Sequence, residues 1–137
     1  MSDINLLKKE GSSCTELLEC FYDLSANECE AFYKIAAMEK VTLDELSSII
    51  ARDRSTTHRL LQKLVGLGLC YKEKMTLERG GYIHVYRAPS TSRVKKQLEK
   101  RITEYMEDLN ILASRIEDDL EVRINSHKKI SNTRSEQ

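Results

Sequence analysis

The chain contains no tryptophan and few of the residues that interrupt helices, with one proline and five glycines among its 137 residues. Little of the sequence is therefore suited to turns, and the composition favours helices joined by short connections. Hydrophobic residues make up 40% and charged residues 32%, which is typical of a globular protein with a very polar surface. The length fits one domain with an appended segment.

Long apolar runs are also missing. No stretch approaches the roughly 20 consecutive apolar residues that a membrane-spanning helix requires. The first residues, MSDINLLKKEGSS, lack the apolar centre of a signal peptide. We therefore expect no membrane partner and a cytoplasmic location.

Signals of catalysis or metal binding are absent from the sequence as well. There is no phosphate-binding glycine loop and no nucleophile–base pair at a telling spacing. The four cysteines form no Cys-x-x-Cys pair, which argues against a zinc site of familiar spacing. We expect no enzyme, no cofactor and no metal. The cysteines are interpreted as small buried hydrophobes where they fall in predicted helices, with a redox switch as the alternative; they are Cys14, Cys20, Cys29 and Cys70.

The net charge of the chain is zero, but its charges are unevenly distributed. Residues 1–50 hold four Lys/Arg and ten Asp/Glu, a net charge of −6, and residues 102–137 hold five and eight, a net charge of −3. Residues 51–101 hold thirteen and four, a net charge of +9. Because phosphate attraction acts through local charge, the basic middle segment is the candidate surface for nucleic acid.

Three capping boxes, each a Ser or Thr followed three residues later by Glu, predict the starts of three short helices. The pairs are Ser13 with Glu16, Ser25 with Glu28, and Thr42 with Glu45. The third predicted helix ends near Ala51, and another helix-forming stretch starts about three residues later. Two short helices at this separation form a helix-turn-helix pattern, although a generic helical hairpin would look similar.

The stretch from Asp53 to Leu69, DRSTTHRLLQKLVGLGL, predicts a helix with a start, two faces and a stop. Asp53 is a favourable N-cap, and Gly68 can take the positive φ of a C′ residue. At about 100° per residue, Thr57 and three leucines point to one side, whereas polar and basic side chains point to the other. That outer face suits base-pair edges and phosphates, with a solvated amphipathic helix as the alternative.

A β-hairpin follows this helix. Residues 69–76 form one predicted strand, Tyr82–Ala88 alternate in the manner of a second, and Glu78-Arg79-Gly80-Gly81 supplies the turn. A helix-turn-helix followed directly by a hairpin is the order of elements in a winged helix. That order is far more specific than any one of its parts.

The C-terminal part predicts one long helix with an apolar seam at steps of four and three, interrupted where Asp119 replaces an apolar residue. The seam is predicted to form a homodimer interface, with folding back on the first helix as the alternative; it comprises Leu98, Ile102, Tyr105, Leu109, Leu112 and Ile116. We therefore predict a mostly α fold with a small β-hairpin (α+β), a winged helix-turn-helix with a long C-terminal dimerisation helix. The predicted segments are a flexible N-terminal arm at 1–12, a winged helix-turn-helix DNA-binding domain at 13–89, the dimerisation helix at 90–125 and a polar tail at 126–137.

The run VTLDELSSIIARDRSTTHRLLQKLVGLGLCYKEK, followed by RGGYIHVYRA and a long helix, resembles the MarR/TrmB-type winged-helix transcription regulators. It is most similar to the small single-domain forms common in archaea, over about residues 25–120. The resemblance implies a homodimeric DNA-binding regulator with its second helix-turn-helix helix in the major groove and its wing on the minor groove or backbone. Larger TrmB-type proteins add a sugar-binding domain, which we do not expect in this chain, so the small-molecule effector is left unknown.

Residue roles follow from side-chain chemistry and from this resemblance. Base readout is predicted for Ser55, Thr56, Arg59 and Gln62, because Arg can bind guanine and Gln can bind adenine with two hydrogen bonds. Phosphate contact is predicted for Arg52, Arg54, His58, Lys63, Lys72 and Lys74, and the wing tip for Arg79, Gly80 and Gly81. Specific recognition of double-stranded DNA is the expected function. Its alternatives are a non-specific, chromatin-like DNA binder and a winged-helix protein-interaction module of a transcription assembly.

Overall fold

The computed structural model describes residues 13–135, with side chains described through residue 129. The predicted arm at 1–12 lies outside these residues. Within them the chain forms six α-helices and one antiparallel hairpin, in agreement with the predicted α+β winged helix. The elements in order are α1 (Cys14–Tyr22), α2 (Ala26–Ala36), α3 (Leu43–Ile50), α4 (Arg54–Gly66), β1 (Tyr71–Thr76), β2 (Tyr82–Arg87), α5 (Thr91–Ser114) and α6 (Ile116–Ser135).

The first three helices begin where the capping boxes place them. Before α2, the Glu28 N–H donates to Ser25 Oγ at 3.1 Å, and the Ser25 N–H donates to Glu28 Oε1 at 2.8 Å. Thr42 and Glu45 repeat this exchange before α3, at 3.1 and 3.2 Å. Each box satisfies two N–H groups that a helix start leaves without a backbone partner.

The turn between α3 and α4 is short and sharply bent. It consists of residues 51–53, and Ala51 takes a left-handed conformation with φ 54°. The two helices pack against each other, which confirms the predicted helix-turn-helix.

The hairpin strands pair from Tyr71 with Arg87 to Thr76 with Tyr82. Gly80 and Gly81 have φ values of 91° and 79°, so both use the conformational freedom that the turn prediction assigned to them. A feature that sequence reasoning missed is an isolated β-bridge between Val41 and Tyr86, with N–H to O distances of 3.0 and 2.8 Å. This bridge ties the hairpin to the segment that precedes α3.

The hydrophobic core lies among the first four helices and the hairpin. Its fully buried side chains include Leu46 of α3, Leu61 and Leu64 of α4, and Leu69 just beyond α4. Val94 and Leu98 at the start of α5 pack against this core. The face of α4 that carries Leu61 and Leu64 is therefore fixed, and its opposite face is left to solvent.

The described residues divide into two units, 13–98 and 99–135, and α5 runs from the first into the second. The prediction of a single long C-terminal helix is wrong in one respect. A turn at Arg115 divides this segment into two helices, α5 and α6. Three acidic residues in the first turn of α6, Glu117, Asp118 and Asp119, suit a helix N-terminus. The helix also continues to Ser135, across most of the segment predicted as a polar tail.

Among residues 13–135, none of the six helices combines the length and the hydropathy of a membrane-spanning segment.

Candidate nucleic-acid interface

Helix α4 is fixed at both ends by its own sequence. Asp53 caps its start, where Oδ1 accepts the Thr56 N–H at 2.6 Å. At the other end, Gly68 has φ 78°, and its N–H donates to the Val65 carbonyl at 3.1 Å. The Leu69 N–H donates to the Leu64 carbonyl at 2.9 Å, which completes both hydrogen bonds of a Schellman motif. The helix therefore starts and stops where the sequence predicted.

The buried face of α4 orients its exposed face. Thr57 is fully buried, and its hydroxyl donates to the Asp53 carbonyl at 2.8 Å. On the opposite side, Ser55, Arg59 and Gln62 are exposed, and Thr56 is half-buried. Three of the four predicted base-reading residues therefore share one open face, with Thr56 at its edge.

A negative charge lies at the start of α4. Hydrogen bonds from the hydroxyl and the N–H of Thr56 lower the pKa of Asp53 below its ordinary value, so this carboxylate is ionised at neutral pH.

Arg54 Nε lies 3.1 Å from Asp44 Oδ1, and both side chains are more than two-thirds exposed. An exposed pair of this kind is weak, so Arg54 remains available to a phosphate.

Lys63, a predicted phosphate contact, forms an ion pair with α2. Its Nζ lies 2.9 and 3.1 Å from the carboxylate oxygens of Glu28 and 3.0 Å from the Asp23 carbonyl. The ammonium is thus bonded to one carboxylate and one backbone carbonyl. Lys63 therefore joins α4 to the N-terminal end of α2.

The hairpin presents further basic groups. Lys72 and Lys74 are exposed on β1, and the Lys74 ammonium lies 4.1 Å from the centre of the Tyr82 ring. Arg79 is exposed in the turn. Arg87, by contrast, donates to Glu73 across the hairpin at 2.8 Å, and this bond raises the pKa of the guanidinium. Arg87 therefore stabilises the hairpin.

A cleft of about 400 Å³ separates the hairpin from α3 and α4. It brings together three predicted phosphate-contact residues, Arg54, His58 and Lys72, with His84 of β2. Sequence reasoning missed His84, although its alternation with Tyr82 and Tyr86 indicated that it shares their side of the strand. Asp44, the ion-pair partner of Arg54, also lines this cleft, which connects the surface of α4 to the hairpin.

Comparison with known proteins identifies the family. Residues 18–92, more than half of the chain, match the family described as sugar-specific transcriptional regulator TrmB. The chain belongs to the TrmB family. An uncharacterized protein of Methanocaldococcus jannaschii is 26% identical over 93 residues, which cover 68% of this chain and 70% of that protein. The predicted resemblance to TrmB-type regulators is thereby confirmed.

Two solved structures share the fold of this TrmB-family chain. A possible transcriptional regulator from Methanosarcina mazei has a TM-score of 0.62 at 18% identity, covering 74% of this chain and 89% of that one. A protein from Sulfolobus tokodaii has a TM-score of 0.56 at 19% identity, covering 77% and 99%. At these identities the likeness concerns the fold.

Most cysteines of this TrmB-family member are poorly suited to redox chemistry. Cys20, Cys29 and Cys70 are buried, whereas Cys14 is exposed, contrary to its predicted burial. Burial raises the pKa of Cys29 to about 11, with a further contribution from nearby carboxylates, and it raises the pKa of Cys70 to about 12. Because the thiolate is the reactive form, these two thiols are expected to be inert.

The predicted dimer seam divides between the two units. Leu98 is partly buried and packs against the core of its own first unit. Ile102 and Tyr105 are half-buried. Leu109, Leu112 and Ile116 are 42%, 63% and 57% exposed, respectively, and leave an apolar surface open to solvent.

Proposed function

We propose that this protein is a sequence-specific, double-stranded-DNA-binding transcription regulator that acts in the cytoplasm as a homodimer. The observation that carries the proposal is the exposed face of α4. This face presents Ser55, Arg59 and Gln62, while the opposite face of the same helix is buried in the core. A rigid helix with an open polar and basic face suits the major groove of B-DNA, which is wide enough to admit it.

Sequence readout would come from the longer side chains of this face. Arg59 can donate two hydrogen bonds to guanine O6 and N7, and Gln62 can pair with adenine N6 and N7. Ser55 and Thr56, in the first turn of α4, can bond to either type of base or to phosphate.

Phosphate contacts would flank the reading face. Arg52 lies before α4, while Arg54, His58 and Lys72 line the cleft toward the hairpin. Lys74 and the turn residues Arg79, Gly80 and Gly81 extend this surface to the tip of the wing. Contacts of this kind set affinity and make it salt-dependent. The wing-tip arginine suits a narrow, electronegative minor groove.

The homodimer is supported by the apolar side chains of the second unit. Met106, Leu109, Leu112, Ile116 and Leu120 are each at least 42% exposed. Large apolar side chains that are left open to solvent along two successive helices favour an interaction surface here. Pairing with a second copy is the simplest solution, and a two-fold dimer would read inverted half-sites about one helical turn apart.

The test is selection of binding sites from a random duplex library, followed by affinity measurement at several salt concentrations. Enrichment of an inverted repeat, with affinity that falls steeply as salt rises, is the expected result. Tight binding without enrichment would indicate chromatin-like coating of DNA. No binding at low salt would favour a winged helix that docks on protein.

A further inference from the structure

Two of the three histidines of the chain line the same cleft, the one of about 400 Å³ between the hairpin and helices α3 and α4. His58 of α4 is half-buried there and His84 of β2 is exposed, whereas the third histidine, His127, belongs to α6. Within the part of the chain that the structure describes, neither cleft imidazole belongs to an ion pair. Histidine ordinarily changes its charge between about pH 5 and 8, so the charge of this cleft depends on pH in that range.

The two imidazoles belong to opposite walls of the cleft. On the α4 wall, His58 precedes Gln62 by four residues and therefore borders the base-reading face. On the hairpin wall, His84 pairs with Lys74 of β1, and directly opposed residues of two strands share one face. The Tyr82 ring meets the His84 ring edge-on, with the two centroids 5.5 Å apart. An anion that enters the cleft beside the base-reading face therefore meets an imidazole on each side.

The other groups that line the cleft leave it weakly basic while both imidazoles are neutral. Asp44 of α3 offsets Arg54 of α4, to which it is paired at 3.1 Å, and Lys72 of β1 remains. Tyr86 of β2 also lines the cleft, but burial raises the pKa of its hydroxyl, so this group stays neutral. The net charge of the lining is therefore +1, and protonation of both imidazoles raises it to +3.

This change in charge favours the binding of a polyanion at the lower pH. A backbone phosphate of DNA is negative throughout this range, and an imidazolium donates both of its ring N–H groups to such an anion. On the basis of the DNA-binding function proposed above, we propose that the cleft holds a DNA phosphate, with His84 as a further contact, and that His58 and His84 take up protons when DNA binds. Affinity for DNA is then highest where both imidazoles are protonated, and it falls as the pH rises.

The first experiment compares the affinity of the full chain for DNA at about pH 6 and about pH 8, at one ionic strength. We expect binding about tenfold tighter at the lower pH. The selected duplex and an unrelated duplex should show the same pH dependence, because a backbone phosphate is common to every sequence. Calorimetry near neutral pH, in buffers of different ionisation enthalpy, should show uptake of about one proton or more per protomer bound.

Substitutions of the exposed His84 separate its charge from its shape. His84→Gln retains a donor but no titratable charge, so it should lower affinity several-fold at about pH 6 and much less at about pH 8. His84→Lys carries its charge at both pH values, so it should bind more tightly than the native chain at about pH 8 and respond less to pH. His127→Gln is the matched control and should keep the native pH dependence. Thermal unfolding and sedimentation velocity check that each variant keeps its fold and mass.

The outcomes separate this proposal from the proposed function. Duplex binding of equal strength at both pH values, or without proton uptake, would overturn the proton linkage and leave the DNA-binding function standing. Equal losses at both pH values in His84→Gln would make His84 a contact that does not titrate. A native pH dependence in His84→Lys, or an altered one in His127→Gln, would place the titrating groups elsewhere. If no duplex binds at either pH, the DNA-binding function fails and the proton linkage fails with it.

Discussion

Arg59 and Lys63 lie one turn apart on α4 and carry the same charge, but they differ in exposure and in hydrogen-bond partners and therefore in the roles that we propose for them. The Lys63 ammonium bonds to the Glu28 carboxylate and to the Asp23 carbonyl at distances of 2.9 to 3.1 Å. Arg59 is exposed, and its guanidinium has five N–H donors in a planar fork. A fixed cation stabilises the fold, whereas a free guanidinium on a rigid helix can recognise a base.

Arg59→Ala tests this difference on the side of recognition. Loss of a two-hydrogen-bond contact to guanine should lower affinity for the selected duplex by about 1–3 kcal/mol and relax discrimination at one base pair. Thermal unfolding should change little, because the side chain is exposed. Titrations of the selected duplex and of its single-base variants would measure both effects, with Lys95→Ala as the matched loss of charge. Equal losses in the two variants would show that Arg59 acts only through charge.

Lys63→Met tests the same difference on the side of stability. It removes the bonds to Glu28 and to the Asp23 carbonyl but retains an apolar stem, so the free energy of unfolding should fall by about 1 kcal/mol. Lys72→Met, on the exposed strand β1, should change it by much less. Urea unfolding at pH 7 compares the two. Similar values for both variants would mean that the Lys63 contacts contribute nothing measurable.

The pKa of Glu28 gives this contact a pH dependence. Burial acts to raise this pKa, but the Ser25 N–H and Lys63 together outweigh it, so the pKa is lowered from 4.5. Folding thus favours the ionised carboxylate, and this contribution to stability is lost as the pH falls below 4.5 and through the lowered pKa. Lys63→Met should show a smaller loss of stability between neutral pH and that range. An acid response identical to that of the native chain would exclude Lys63 as a cause.

At the scale of elements, the Schellman motif fixes where α4 stops and β1 can begin. Gly68 has φ 78°, and a Cβ added there would lie 3.2 Å from Gln97 Oε1. Gly68→Ala should therefore lower the free energy of unfolding by about 1–2 kcal/mol. Gly66→Ala is the control, because Gly66 is helical with nothing within 4 Å of an added Cβ. That change should be neutral or stabilising. Equal destabilisation by both would contradict the assigned role of positive φ.

The wing is an element whose proposed task is electrostatic. Arg79→Ala removes one exposed charge from a turn held by bonds between Leu77 and the glycines. We expect uniformly weaker binding to all duplexes and a salt slope smaller in magnitude by about 1. Affinity measured across a salt series, for specific and unrelated duplexes, gives both quantities. An unchanged slope would place Arg79 away from the phosphates.

Structural features that depend on residues close together in the sequence could be predicted, whereas features that depend on residues far apart in the sequence could not. The caps of α2, α3 and α4 depend on residues three apart, and Gly68 follows its helix directly. The bridge between Val41 and Tyr86 joins residues far apart in sequence and involves one residue on each side. It is too short to produce the alternation of apolar and polar residues that indicates a strand. The break at Arg115 did have a local signal in the acidic turn that follows it.

The same distinction holds for the site, viewed across the whole molecule. The segment of residues 51–101, with net charge +9, marked α4 and the hairpin as the basic surface, because charge is a property of composition. The partner of Lys63 lies 35 residues earlier, and Leu98 is covered by a core built from earlier elements. Only the tertiary structure shows that these two residues serve the fold of the first unit.

The proposed homodimer depends on the apolar side chains of the second unit, and Leu112 is the best position at which to test it. Leu112 is 63% exposed between Leu109 and Ile116 on α5 and α6. If these side chains bury one another across a two-fold axis, Leu112→Glu places a charge in an apolar interface and should shift the protein to a monomer. Lys100→Gln makes the charge more negative by the same amount, about 120° or more around α5 from Met106, Leu109 and Leu112, and should leave the dimer intact. Sedimentation velocity measures the mass, and thermal unfolding checks that the first unit remains folded.

A folded Leu112→Glu variant of unchanged mass would exclude this face as the dimer interface. A monomer that still binds the full inverted repeat with native affinity would show that the two half-sites are read independently.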